Sequence, residues 1–232
     1  MNIAENILKH SLQNVYFLTG TACGGKTTMA KALSKKHGFI HFSDNWHEDN
    51  FKVWQSLIDE KYQPISGKKE NATDWEAYFG RTVEEFLDDK KNNNGNREQL
   101  EFSIIEIIKL AQNNKVVADI WFDTDDDMRL LAEISDYNRI ACLLAPAKLI
   151  IRDYYDRADH IEFTECIKSL KDPEKKFETQ NELWRIHAKE EAEIAKKYNF
   201  FTITRTEEST VEKTLKILEE HFRLNCMCVT EI

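Results

Sequence analysis

The chain of 232 residues is 41% hydrophobic and 31% charged with only 7 Gly and 3 Pro, a balance that disfavours both disorder and an all-β build and leaves room for one sizeable α/β core. Its 32 basic and 41 acidic side chains give a net charge of -9, which repels a phosphate polyanion over most of the surface and excludes nucleic acid as an expected partner.

In chain order, the N-terminal run Met1 to Asn6 lacks the basic region and long apolar core of a signal peptide, and no later segment approaches the ~20 apolar residues of a membrane span. A cytoplasmic location without a membrane partner is the expectation. Residues 3 to 13 read as a short helix, and Val15 to Thr19 as a strand buried on both faces because it is apolar without alternation. Directly after it, Gly20-Thr21-Ala22-Cys23-Gly24-Gly25-Lys26-Thr27 matches G-x-x-x-x-G-K-[S/T] in full and opens into a helix over Thr28 to Lys36. Strand, glycine loop and helix together make a phosphate cradle: backbone N–H groups and the helix N-terminus face the anion, Lys26 reaches the β- and γ-phosphates, and the Thr27 hydroxyl ligates Mg²⁺. ATP and Mg²⁺ are therefore the expected cofactors, with Gly20 to Thr27 and the adjoining Thr28 as their binding segment.

Gly38 ends that helix, and Phe39 to Ser43 form a second strand that delivers Asp44 to the same crevice, outside the carboxyl ends of a parallel sheet. Residues 45 to 99 form a polar, aromatic-rich insertion with helices over 48 to 59 and 74 to 90 and a turn at Asn92 to Asn96; it is the expected acceptor-binding part. Its aromatics serve as a second small core or as stacking surfaces. Trp46, two residues beyond Asp44, is the stacking candidate, and Arg81 and Arg97 are the cations available to an acceptor phosphate. The apolar residues Leu100, Phe102, Ile104, Ile105, Ile107, Ile108 and Leu110 mark a helix over 98 to 112 packed on the sheet.

Val116 to Phe122 read as a third buried strand containing Asp119, a candidate to hold Mg²⁺ through water. The acidic residues Asp123, Asp125, Asp126 and Asp127 suit the start of a helix over 127 to 136. A fourth strand spans 139 to 144, Pro146 breaks it, and a helix over 147 to 157 carries Arg152 and Arg157. Residues 158 to 180 are polar and weakly periodic, as in a mobile excursion or lid; a helix over 182 to 197, a fifth strand over 200 to 204, Arg205 and a last helix follow. Ser209 and Glu212 fit a capping box for that helix, with Val211, Leu215, Leu218 and Phe222 facing the sheet. The five cysteines, Cys23, Cys142, Cys166, Cys226 and Cys228, form neither an even disulfide framework nor a C-x-x-C pair, so they read as reduced thiols, and Cys226 with Cys228 make only an incomplete metal site.

This alternation predicts one domain over 1 to 232, a doubly wound five-stranded parallel sheet of P-loop NTPase type with a helical acceptor insertion and a lid. The chain resembles the P-loop small-molecule kinases that include adenylate, shikimate and gluconate kinases and chloramphenicol phosphotransferase. The resemblance implies sheet order 2-3-1-4-5, a phosphoryl clamp at Arg157 and then Arg152, and Arg205 beside the adenine. The chain departs from these kinases at Ile120-Trp121, where deoxynucleoside kinases show Glu-Arg, and it lacks the glycine-rich substrate motif of shikimate kinases. Asp44 at a strand exit suits a general base and so a small-molecule hydroxyl acceptor, nucleoside-like, sugar-like or antibiotic. A nucleoside monophosphate acceptor is the alternative, and a nucleotide-binding switch or non-catalytic binder a third. The segment Asn114-Lys115-Val116-Val117 lacks the Asp of the guanine-reading N-K-x-D motif.

Overall fold

The computed structural model describes residues 4–44, 53, 57, 75–92, 95–122, 124–146 and 161–224. Helix α1 (Glu5–Ser11) leads into β1 (Val15–Thr19), and the glycine loop joins β1 to α2 (Lys26–His37). Then come β2 (Ile40–Ser43), α3 (Trp75–Phe79), α4 (Val83–Asn92), α5 (Gly95–Ala111), β3 (Val116–Asp119) and α6 (Asp125–Ile134). The chain continues through β4 (Ile140–Leu144), α7 (Ile161–Lys168), α8 (Pro173–Lys197), β5 (Phe201–Thr204) and α9 (Val211–His221). The sheet has five strands, all parallel, in the order β2-β3-β1-β4-β5.

Successive side chains of a strand point to opposite faces, and here both faces are covered. Val15, Phe17, Val116, Ala118, Ile140 and Cys142 pack into one core with Leu100, Ile104 and Ile107 of α5 and Met128, Leu131 and Ile134 of α6. Tyr16, Leu18, Val117, Ala141 and Leu143 enter a second core with Met29, Ala30 and Leu33 of α2 and Leu218 of α9. Continuous apolar runs in β1, β3 and β4 follow from that double cover. Strand β5 lies at the sheet edge, with Phe201 and Ile203 turned to the second core and Thr202 and Thr204 exposed.

Several boundaries differ from the sequence expectation. The third strand stops at Asp119, because the next backbone donors turn to side chains: Trp121 N–H to the Asp44 carboxylate and Phe122 N–H to Thr19 Oγ1. The expected helix over 74 to 90 is two helices, broken at Gly80-Arg81-Thr82, with Thr82 and Glu85 forming a capping box for the second. Gly95 and Asn96, expected in a turn, already belong to α5. Ile105 is 51% exposed, since at about 100° per residue it falls off the stripe of Leu100, Ile104 and Ile107, and Val211, though in line with Leu215 and Leu218, is 42% exposed at the first position of its helix. The last helix is capped by Thr210, which accepts from Lys213 N–H, while Ser209 Oγ accepts from Thr206 N–H instead of pairing with Glu212. The part of 158 to 180 within the described residues is helical except for the turn over 169 to 172, and α8 begins at Pro173 rather than near 182. Proline suits the first turn of a helix, where its missing N–H has no partner to lose. Apart from Val53 and Leu57, the expected helix over 48 to 59 lies outside the described residues, as does that over 147 to 157.

Candidate active site

The glycine loop sits over the exit of β4. A Cβ at Gly20 or Gly24 would run into the Leu143 carbonyl, so both positions need glycine for close approach rather than for a turn alone. Buried Thr21 fastens the loop by accepting from Ala145 N–H at 2.6 Å. Lys26 Nζ donates to Gly20 O at 2.8 Å and Thr21 O at 2.9 Å, which holds its ammonium across the loop. Gly25, at φ 96°, is the N-cap of α2, so the loop runs directly into a helix N-terminus. Ala22 is half-buried and Thr28 exposed at the start of α2. Arg205 Nη1 donates to Cys23 O at 3.4 Å, and its backbone N–H extends the β4–β5 pairing to Leu144 O at 2.8 Å. That brings the predicted nucleotide-side arginine against the loop.

At the exit of β3, Thr27 Oγ1 donates to Asp119 Oδ2 at 2.5 Å, and Asp119 is 2% exposed. Two hard oxygens at the mouth of a phosphate loop are what Mg²⁺ takes from a protein when phosphates and water complete its octahedron. Among the described residues no group of three or more His, Cys, Asp or Glu could hold a metal by itself. The oxygens of Thr27 and Asp119 are of the kind that fits Mg²⁺.

Asp44 follows β2 beside this pair. Its N–H donates to Asp119 O at 3.4 Å, its carbonyl accepts from Gln99 Nε2 at 3.0 Å, and its Oδ2 accepts from Trp121 N–H at 3.1 Å. Asp44 is half-buried, and burial pushes its pKa up to about 7. The Trp121 N–H acts against the rise, nearby Asp119 adds to it, and Lys26 opposes it. The indole Nε1–H of Trp121 in turn donates to Oε1 of buried Glu191 on α8 at 3.0 Å.

The loop, Thr27, Asp119, Asp44 and Arg205 are therefore tied together by direct contacts. Arg81 and Arg97 are committed elsewhere. Arg81 stacks over Tyr78 and Phe86 at 4.5 and 4.0 Å from the ring centroids and donates to Tyr78 O. Arg97 pairs with Glu101 at 2.9 Å and with Asp127 at 3.1 Å. Asp127 is itself engaged in a capping box with Thr124 at the start of α6. Trp46, Arg152 and Arg157 lie outside the described residues, as do Cys226 and Cys228. Cys142 is buried in the sheet, and burial pushes its thiol up to about 12. Sequence reasoning missed Trp121, Glu191 and Gln99 as site neighbours. Trp121 carried a signal, two residues past the strand's aspartate; Glu191 looks like any glutamate of a charged helix.

A parallel sheet in this order, with a phosphate loop between its central strand and the next helix, is the P-loop type of α/β fold. The chain is similar to a shikimate kinase from Acinetobacter baumannii solved in complex with shikimate, at 12% identity and TM-score 0.49, over 95% of this chain and 99% of that one. It is also similar to a shikimate kinase from Bacteroides thetaiotaomicron, at 16% identity and TM-score 0.45, over 90% and 98% of the two chains. No protein-family model matches the chain, and no curated protein matches it in sequence. No helix among the described residues is long and apolar enough to cross a membrane.

Proposed function

We propose that the chain is an ATP-dependent kinase that transfers the γ-phosphoryl group to the hydroxyl of a small molecule. The observation that carries this reading is the run of contacts from the loop through Thr27 to the Asp119 carboxylate, with Asp44 hydrogen-bonded beside it to the Asp119 backbone. Phosphoryl transfer needs in-line positioning and electrostatic neutralisation more than covalent help from the protein. The loop amides and Lys26 bind the polyphosphate, and Arg205 packs beside the nucleotide. Thr27 and Asp119 would hold Mg²⁺, which would supply charge neutralisation to the phosphates. Asp44 orients the acceptor hydroxyl and takes its proton as the oxygen bonds to the γ-phosphorus and the bond to the bridging oxygen of ADP breaks. Arg157 and then Arg152 are the proposed clamp on the transferring group. A nucleoside monophosphate acceptor needs cations for its phosphate, and the engagement of Arg81 and Arg97 with other partners speaks against it.

A screen of Mg-ATP with neutral alcohols, sugar acids, antibiotics and nucleoside monophosphates, reading ADP, tests the proposal. The expectation is acceptor-dependent ADP with a hydroxyl compound, abolished by Lys26→Ala. Asp44→Asn is expected to lower kcat by about 10²- to 10⁴-fold while Mg-ATP affinity stays within about twofold. Turnover with monophosphates alone overturns the acceptor class. Tight Mg-ATP binding with background turnover across the whole panel points instead to a non-catalytic binder or switch.

A further inference from the structure

Trp121 stands 40% exposed between Ile120 and Phe122, which are fully buried. An exposed aromatic alone means little. This one is fixed at both ends. Its backbone N–H is bonded to the Asp44 carboxylate, and its indole N–H to Glu191 Oε1, on a residue only 2% exposed. Turning the ring away would strip a hydrogen bond from a buried carboxylate, a costly loss. The ring is therefore held at the carboxyl edge of β3, where ligands of parallel sheets bind, beside the carboxylate that faces the acceptor. With its N–H occupied, what Trp121 offers a ligand is its π surface. The carboxylates of Asp44 and Glu191, bonded to its backbone and indole N–H groups, flank the residue at both ends, an arrangement that disfavours anionic acceptors.

We infer that Trp121 is the stacking wall of the acceptor site and that the acceptor is a neutral alcohol bearing a flat unsaturated ring, of nucleoside or phenyl-glycoside type. The inference rests on the kinase reading of Asp44 and adds to it the class of acceptor. The ring lies on the indole while the hydroxyl reaches Asp44. Stacking of a base on an aromatic side chain is sequence-tolerant and strong enough to set affinity.

The test titrates thymidine, inosine and phenyl β-riboside against methyl β-riboside, which carries the sugar without the ring. Binding to wild type and variants is followed without ATP by isothermal titration calorimetry, and quenching of Trp121 is read beside it as the difference in tryptophan emission between wild type and Trp121→Phe. Ringed compounds are expected to quench saturably and methyl riboside not to. Trp121→Leu, which keeps the backbone N–H on Asp44, is expected to weaken the ringed compounds by roughly 5- to 150-fold, with Trp121→Phe recovering most of the loss. Unchanged Mg-ATP affinity in both variants shows that they are folded. Absence of quenching by every ringed compound, or Trp121→Leu binding them as wild type does, overturns the inference. ADP formation is read separately on the same panel. Quenching without ADP retains the stacking wall and removes the kinase, whereas equal turnover of methyl riboside and its ringed counterparts retains the kinase and removes the wall.

Discussion

Asp44 shows how a single position acquires chemistry from residues far along the chain. Its place at a strand exit is readable from the pattern Phe39 to Ser43, but its environment comes from Gln99 and Trp121, 55 and 77 residues further on. Local sequence does not carry that enclosure, so the upward shift to about 7 could not have been read from it. The shift has a consequence for stability. An aspartyl group whose folded pKa lies above the unfolded value of about 3.9 binds more protons in the native state between those two pH values, so stability falls as pH rises through that window. Asp44→Asn removes the ionisation while keeping an acceptor for Trp121 N–H. In urea denaturation with EDTA at pH 8, Asp44→Asn is expected to be more stable than wild type, by a few kcal/mol at most because the residue keeps some solvent contact. Near pH 4 the two should coincide. Equal stability at pH 8 would show that the carboxylate is solvated after all. The same substitution costs the proposed base, so stability and activity trade against each other at this residue.

At the scale of elements, periodicity located every strand and most helices, because both faces of the sheet are covered and the packing helices keep a 3.6-residue stripe. It failed where ends are decided by single hydrogen bonds. The Thr82–Glu85 and Thr124–Asp127 boxes and the Thr210 cap are geometric choices among several adjacent polar residues. Helix α8 was legible only in its second half, since residues 173 to 181 owe their burial to partners distant in sequence. A comparable tie aims α2, whose N-terminus completes the phosphate loop. Glu219 of α9, 3% exposed, accepts from Lys36 Nζ at 2.8 Å and contacts His37 Nε2 at 2.6 Å at the far end of α2. Burial draws the Glu219 carboxyl upward, but the hydrogen bonds from Lys36 and His37 outweigh it and hold its pKa below the ordinary value. A depressed carboxylate contributes stability that is present above its unfolded pKa of about 4.3 and is lost as pH falls through the folded value. Glu219→Gln is therefore expected to cost about 1–3 kcal/mol at pH 7, with the difference from wild type shrinking below pH 4. Thermal melts across that range decide it; a cost independent of pH would mean that shape rather than charge holds the contact.

Across the whole molecule, the acceptor insertion expected over 45 to 99 and the lid region expected over 158 to 180 are separate stretches of sequence, yet their described parts share a core. Phe79 of α3 packs with Ile167 of α7 and Phe177 of α8, all at most 3% exposed, with Tyr78, Phe163 and Leu170 around them. Glu76 of α3 reinforces the contact, accepting from buried Lys176 Nζ at 2.6 Å and from Lys171 N–H at 3.0 Å. Lys176 also donates to Lys171 O, so three polar groups and three apolar ones bind the two stretches. Glu76 and Lys176 are 100 residues apart, which is why the sequence shows two unrelated polar segments. This third core is distinct from the two on the sheet, and its stability should be separable from theirs. Truncating Phe79 to alanine removes a buried ring, a change of about 3–5 kcal/mol where the cavity does not collapse. In native-state hydrogen exchange, Phe79→Ala is expected to lower the protection of α3, α7 and the first turns of α8 together, while β1, β3 and β4 keep theirs. Loosening of α3 alone, with α7 and α8 still protected, would mean that the insertion and the following helices open independently. Joint loosening would make them one cooperative unit, so that anything ordering α3 also orders α7 and the start of α8.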